Sequence, residues 1–291
     1  MLKAGAADRT YAWLGISSST TSRSTDLVTS PVISPPFVAC IRLTLAVYTF
    51  GTALAVLIHD SGESSKHDAG GFFSYFTDLS LIGLTAYFWA AGIQTLAYTL
   101  RGEKTYPLQR WPRFLQFLHR LLYSSITTFP IVTTVTYWAL LSGADTFATR
   151  YNTWSNISEH LLNTVFALFE ILFTHCGPSP WSHLIFLIIF LAGYLGVAYI
   201  THATEGFYTY SFLDPHKEGP LLAAFIIGIA VGECIVFSAV WGLCYLREWL
   251  SRRLRVGAEA TGVRSVQAGT REAIDEWEEL ERPGTPEFEG V

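Results

Sequence analysis

Charge is what this chain has least of. Only 15% of its 291 residues are Asp, Glu, Lys or Arg, where a soluble domain carries about 25%. No basic patch stands out, which argues against nucleic acid as a partner. Cysteine is also scarce. Cys40, Cys176, Cys234 and Cys244 form no CxxC pair, and each sits in or beside an apolar segment. They read as small hydrophobes rather than disulfides or zinc ligands. The N-terminus lacks the charged-then-apolar pattern of a cleaved signal peptide. No internal repeat is visible.

Long apolar runs are what the chain has instead, with 50% hydrophobic and 15% aromatic residues. Six segments stand out, at 37–58, 72–100, 114–141, 155–174, 183–203 and 221–245. Each has about 20 residues or more, enough for a ~30 Å hydrocarbon core. Backbone satisfaction in lipid then demands helices. The predicted fold is all-α: a polytopic membrane protein with a bundle of six transmembrane helices, in contact with the lipid bilayer. Pro130 should kink the third helix. Residues 1–36 read as a disordered Ser/Thr-rich arm, 37–246 as the membrane domain, and 247–291 as a basic juxtamembrane stretch with an acidic disordered tail. Residues 256–291 hold nine acidic and three basic residues. Within the tail, 271–280 has Ile274, Trp277 and Leu280 at helical spacing.

Loop charge sets the orientation. Arg101, Lys104, Arg110 and Arg113 lie on one side, with Arg247, Arg252, Arg253 and Arg255 after the sixth segment. The alternate loops hold Lys66, Arg150 and Lys217, one each. Both termini are therefore expected in the cytosol. Arg42, near the inner end of the first helix, is expected to snorkel toward the interface.

Several polar residues interrupt the apolar runs. In 155–174, Asn156, His160, Asn163, Thr164 and Glu170 share one helical face, and ionisable residues at membrane depth are functional-site hypotheses by default. Span arithmetic places Thr77 and Asp78, about five residues into the second helix, in one shallow outer layer with His160, His202 and Glu205. Asn163, one turn below His160, is placed to orient its ring. Glu170 lies too deep to act with His160 and reads as a network partner. Two enzyme schemes fit. Thr77 attacks an ester carbonyl while His160 takes its proton, or His160, His202 and Glu205 hold a metal that activates water. Residue spacing does not choose between them. A non-enzymatic transporter or lipid-binding scaffold is the alternative. A transporter site belongs near the midplane, among broken helices and repeats, and this layer is shallow.

Three runs carry a resemblance: YFTDLSLIGLTAYF around Thr77, SEHLLNTVFALFEI around His160, and THATEGFYTYSFLDP after the fifth segment. Their order and spacing resemble the androgen-induced / androgen-dependent TFPI-regulating protein family, in its fungal-type branch, over roughly residues 37–246. The resemblance implies a threonine-type carboxylic ester hydrolase acting on lipid esters such as fatty acid esters of hydroxy fatty acids. It implies Thr77 as nucleophile and His160 as base, and favours this scheme over the metal one, so neither cofactor nor metal is expected; Asp78, Asn163, His202 and Glu205 are read as supporting residues from their own positions. Asp78 stands where relatives often have an apolar or aromatic residue, which leaves Ser74 and Ser80 as alternative hydroxyls. The lipid-ester activity belongs to the animal branch, so its transfer here is analogy. The expected location is the endomembrane system (endoplasmic reticulum) or the plasma membrane. Oligomeric state is not legible.

Overall fold

The computed structural model describes residues 6–16, 24–62 and 69–281. The rest of the N-terminal arm and of the acidic tail lie outside the described residues. All regular structure among the described residues is helical. Helix α1 (Ala6–Trp13) and a 3-10 turn (Asp26–Val28) lead into α2 (Pro35–Gly62). The short α3 (Ala69–Phe72), α4 (Phe76–Leu100) and α5 (Arg113–Thr136) follow, and α5 runs into a π turn (Tyr137–Leu141). Then come α6 (Arg150–Ile157), a second π turn (Ser158–Leu162) and α7 (Asn163–Phe173), which together make one segmented helix. Helices α8 (Ser182–Glu205), α9 (Pro215–Glu218) and α10 (Leu221–Glu281) complete the order.

Among the described residues, four helices are long and apolar enough to cross a membrane: Pro35–His59, Phe76–Leu100, Ser182–Glu205 and Leu221–Arg253. Large apolar side chains stand on their outer faces, among them Phe37, Ile58, Ile93, Ile185, Ile200 and Ile235. An apolar exterior over a partly polar interior is the build of a multi-pass membrane protein. The other two apolar segments are helical but differ in kind. Segment 114–141 is α5 with its π turn. Its Ser125, Thr127 and Thr128 hydroxyls donate to carbonyls three or four residues back. These hydroxyls are buried inside the bundle, where a helix needs less apolar surface than one facing lipid. Segment 155–174 is interrupted by the second π turn.

Close approach fixes the pairing of α2 with α4. A Cβ on Gly92 would lie 2.8 Å from Leu43 Cδ2, so the glycine lets the two backbones meet. Around this contact a core of Leu84, Tyr87, Phe88, Ala91 and Ile126 closes. Inside it, Arg42 and Glu170 are both fully buried and paired. Arg42 Nε donates to Glu170 Oε1 at 2.8 Å and Nη2 to Oε2 at 2.7 Å. Nη1 donates to the Leu27 carbonyl and to Thr95 Oγ1, and the Tyr87 hydroxyl donates to Glu170 Oε2 at 3.0 Å. Arg42 therefore does not snorkel. A bidentate partner across the bundle satisfies the guanidinium where it stands. Glu170 is the network residue its depth implied.

The described part of the N-terminal arm is not loose. Tyr11, Leu14 and Ile16 pack on Phe117, Leu121 and Phe186. Ser182 Oγ donates to the Trp13 carbonyl at 2.7 Å, and His183 Nε2 donates to the Leu14 carbonyl at 3.2 Å. A carbonyl only accepts, so His183 Nδ1 is the acceptor for Ser124 Oγ at 2.7 Å. Three apolar anchors within a polar segment are enough to dock it, which composition alone obscured. Gly15 makes the turn at φ 76°, and a Cβ there would lie 2.5 Å from Pro180 Cγ. Gly15→Ala is expected to weaken docking by about 1–2 kcal/mol. Faster native-state proteolysis of the segment is the readout, and unchanged proteolysis would refute the prediction.

The chain divides into two compact units, Met1–Tyr245 and Leu246–Val291. In the second, helix continues to Glu281, where the composition suggested a disordered tail. Glu248 and Arg252 pair at 2.9 Å one turn apart, and Arg253 lies over Trp249, local contacts of the kind that support an exposed helix.

Candidate active site

Thr77 lies in the first turn of α4, because the helix starts at Phe76 rather than at residue 72. The chain is extended at Tyr75 (ψ 135°). Tyr210, from the turn after α8, closes this helix end by accepting from the Phe76 N–H at 3.2 Å. The Tyr210 hydroxyl also reaches the Thr77 side chain. Burial pushes the Tyr210 phenol above its ordinary range, so at neutral pH it keeps its proton. Thr77 is 7% exposed and lines a partly open cavity of about 190 Å³. The other walls are mainly aliphatic and aromatic, including Val132, Leu191, Leu195, Ile226 and Ile229. This is a site suited to a hydrocarbon chain with one polar end.

His160 sits in the second π turn, ten residues beyond the start of α6 at Arg150, deeper along its helix than the sequence suggested. A π turn inserts one residue into the helical repeat and is frequent at functional sites. The His160 ring is buried and lies flat on Tyr137, with centroids 3.5 Å apart and planes at 4°. Its Nδ1 has no hydrogen-bond partner. Trp138 Nε1 donates to the His160 carbonyl at 3.4 Å, so the two π turns hold each other. Tyr137 also lines the Thr77 cavity. Thr77 and His160 are thus linked only through Tyr137, which shares the cavity with one and stacks on the other, and no hydrogen bond joins them.

The remaining candidates divide. Asp78 is buried beside Thr77 and adds to the field at Tyr210. Asn163 gives its Nδ2 to the Glu159 carbonyl at 2.8 Å, and its Oδ1 is buried without a partner. It is not bonded to the His160 ring. His202 stacks on Tyr208 at 3.7 Å, and Glu205 is exposed at the end of α8. No cluster of three or more His, Cys, Asp or Glu able to hold a metal ion exists among the described residues, so the ligand set of the metal scheme is not assembled. Ser74 Oγ accepts from Thr201 at 2.8 Å, and Ser80 lines a neighbouring groove.

Sequence reasoning missed Tyr137 and Tyr210, since an aromatic in a membrane helix or at its end carries no pattern of its own. It also passed over Glu233, an acid in the middle of an apolar run. Glu233 is fully buried, and neither carboxylate oxygen is hydrogen-bonded. Its neighbour Thr128 spends its proton on the Ser124 carbonyl at 3.1 Å. An unpartnered buried group carries its full desolvation cost. Glu233→Leu is expected to raise stability by about 1–3 kcal/mol, read as a higher melting temperature in detergent, and a lower one would refute this.

No curated protein and no solved structure matches the chain. A family model described as FAR-17a/AIG1-like protein matches residues 39–246. That stretch covers most of the chain and holds Thr77, Tyr137, His160, Tyr210 and the Arg42–Glu170 pair. The chain therefore belongs to the FAR-17a/AIG1-like protein family.

Proposed function

We propose that this protein is a membrane hydrolase of lipid carboxylic esters, with Thr77 as nucleophile and His160 as general base. The observation that carries the reading is one shared wall. Thr77 and Tyr137 line the same apolar cavity, and His160 stacks on Tyr137. The Thr77 oxygen attacks the ester carbonyl carbon while His160 takes the hydroxyl proton. The carbon–oxygen bond to the alcohol then breaks, and His160 returns the proton to the departing alcohol. Water, activated by the same imidazole, releases the acid from Thr77. The Tyr210 hydroxyl, a proton donor next to Thr77, is positioned to stabilise the oxyanion. Catalytic hydrogen bonds often tighten only with substrate bound, which accommodates the absence of a direct Thr77–His160 bond in the resting site. Asp78 supports this centre from α4 through its field. Asn163, His202 and Glu205 support it only through the packing of their helices.

In this reading α5 and the segmented α6–α7 helix span the bilayer with the four long apolar helices, giving six spans and cytosolic termini. Residues 37–246 form the membrane domain, in the endomembrane system or the plasma membrane. The test is covalent labelling. A fluorophosphonate probe should modify Thr77 in native membranes, and Thr77→Ala should lose the label while keeping expression and its melting temperature. A folded wild-type protein that takes no label, or a label that survives in Thr77→Ala, rejects the assignment.

A further inference from the structure

We infer that two hydrocarbon-chain sites adjoin at Phe76, the residue before Thr77, and that Phe76 and Tyr194 sort the two chains of a lipid ester between them. The inference rests on the hydrolase reading and adds the shape of its substrate. Beside the cavity of about 190 Å³ that holds Thr77 lies a separate groove of about 240 Å³. Phe76 and Tyr194 line both. The helices explain how. On α4, Phe76, Ser80 and Gly83 follow at helical spacing and face the groove, while Thr77, rotated by one residue, faces the cavity. On α8, Phe190, Tyr194 and Val197 face the groove, and Leu191 and Leu195 face the cavity.

The partition is held in place. The Phe76 ring lies 5.0 Å from Tyr194 and 5.2 Å from Phe129, both within aromatic contact. The Tyr194 hydroxyl donates to the Ser74 carbonyl at 3.1 Å, which fixes the ring across the boundary. Both chambers are partly open. Phe190 and Val197, at the groove's rim, are 45% and 37% exposed on a helix that faces lipid. The groove therefore opens on the flank of the bundle.

The order of bond breaking assigns the chains. After the first step the acid chain stays bonded to Thr77, so it belongs in the cavity that Thr77 lines. The alcohol leaves first, so its chain belongs in the groove, from which it passes sideways into the bilayer.

The experiment uses the full-length Thr77→Ala protein in lipid nanodiscs, which holds the ester uncleaved. Two versions of one two-chain ester carry a photoreactive diazirine, in the acid chain or in the alcohol chain. Cross-links from the acid chain are expected at Ile226 and Ile229, and those from the alcohol chain at Phe190 and Val197. Both labels landing in one chamber, or no alcohol-chain label in the groove, overturns the inference. A second variant uses the room at Gly83, where an added Cβ meets no atom within 4 Å. In Gly83→Phe the ratio of kcat/KM for the two-chain ester over the methyl ester of the same acid should fall tenfold or more, and an unchanged ratio counts against chain sorting. If wild-type protein cleaves neither ester yet the cross-links divide as described, the hydrolase reading fails and the two-chamber site stands. If both esters are cleaved and the labels do not divide, only the sorting fails.

Discussion

Glu170→Ala is expected to destabilise the protein by about 3–5 kcal/mol, because it strands the Arg42 guanidinium in a site with no solvent. Both side chains are completely enclosed. All five Glu170 and Arg42 hydrogen bonds are internal, to each other, Tyr87, Thr95 and the Leu27 carbonyl. Arg42→Ala should cost a similar amount for the mirror reason. The informative variant is the double one. Arg42→Leu with Glu170→Leu removes both charges, and a buried pair replaced by apolar residues is often neutral for stability. The double variant should therefore regain most of what either single change loses. Arg42→Lys should not rescue, since an ammonium cannot present the two parallel N–H groups that meet both carboxylate oxygens. Thermal unfolding of the four variants in one detergent makes the measurement. If the singles melt within a degree or two of the wild type, the pair is not the anchor its geometry describes.

Thr77→Ala and His160→Ala are each expected to lower turnover of a branched fatty ester by a factor of about 10³ or more, as loss of either half of a nucleophile–base unit does. The double variant should be no worse than the singles, because each change alone disables the unit. Thr77→Ser keeps the hydroxyl and should keep measurable turnover. Two controls separate chemistry from packing. His160→Phe retains an aromatic ring to lie on Tyr137 while removing both nitrogens, so it should fold and be inactive. An active His160→Phe would reduce His160 to a packing residue. Full activity in Thr77→Ala would remove the nucleophile and leave the scaffold or transporter reading in its place.

Much of this architecture was legible before any coordinates. The apolar runs marked every long helix, since lipid exposure forces continuous apolar sequence. His160 stood out because polar groups in such runs are costly, whereas Thr77 was singled out by the family resemblance. What escaped was of three kinds. Helix starts escaped, since Phe72 and Phe73 continue the apolar run although the helix begins at Phe76. The π turns at Tyr137–Leu141 and Ser158–Leu162 escaped because a one-residue insertion leaves composition untouched. Long-range pairing escaped as well. Arg42 carries no local mark of a partner 128 residues away, and the Leu14 carbonyl none of His183. The stacking of His160 on Tyr137, which lines the Thr77 cavity, belongs to the same class.

That 128-residue separation also bears on how the protein is made. Chain growth runs at ~5–20 residues per second, so Arg42 reaches the membrane roughly 6–26 s before Glu170 has been synthesised. Throughout that interval the first helix holds a cation without its counter-ion. The guanidinium then belongs at the headgroups, the position its place near the helix end suggested. In the finished fold it is enclosed with Glu170 and donates to the Leu27 carbonyl. The buried pair is thus a latch that closes late in biosynthesis. A chain that stops before residue 170 lacks the partner that closes the latch.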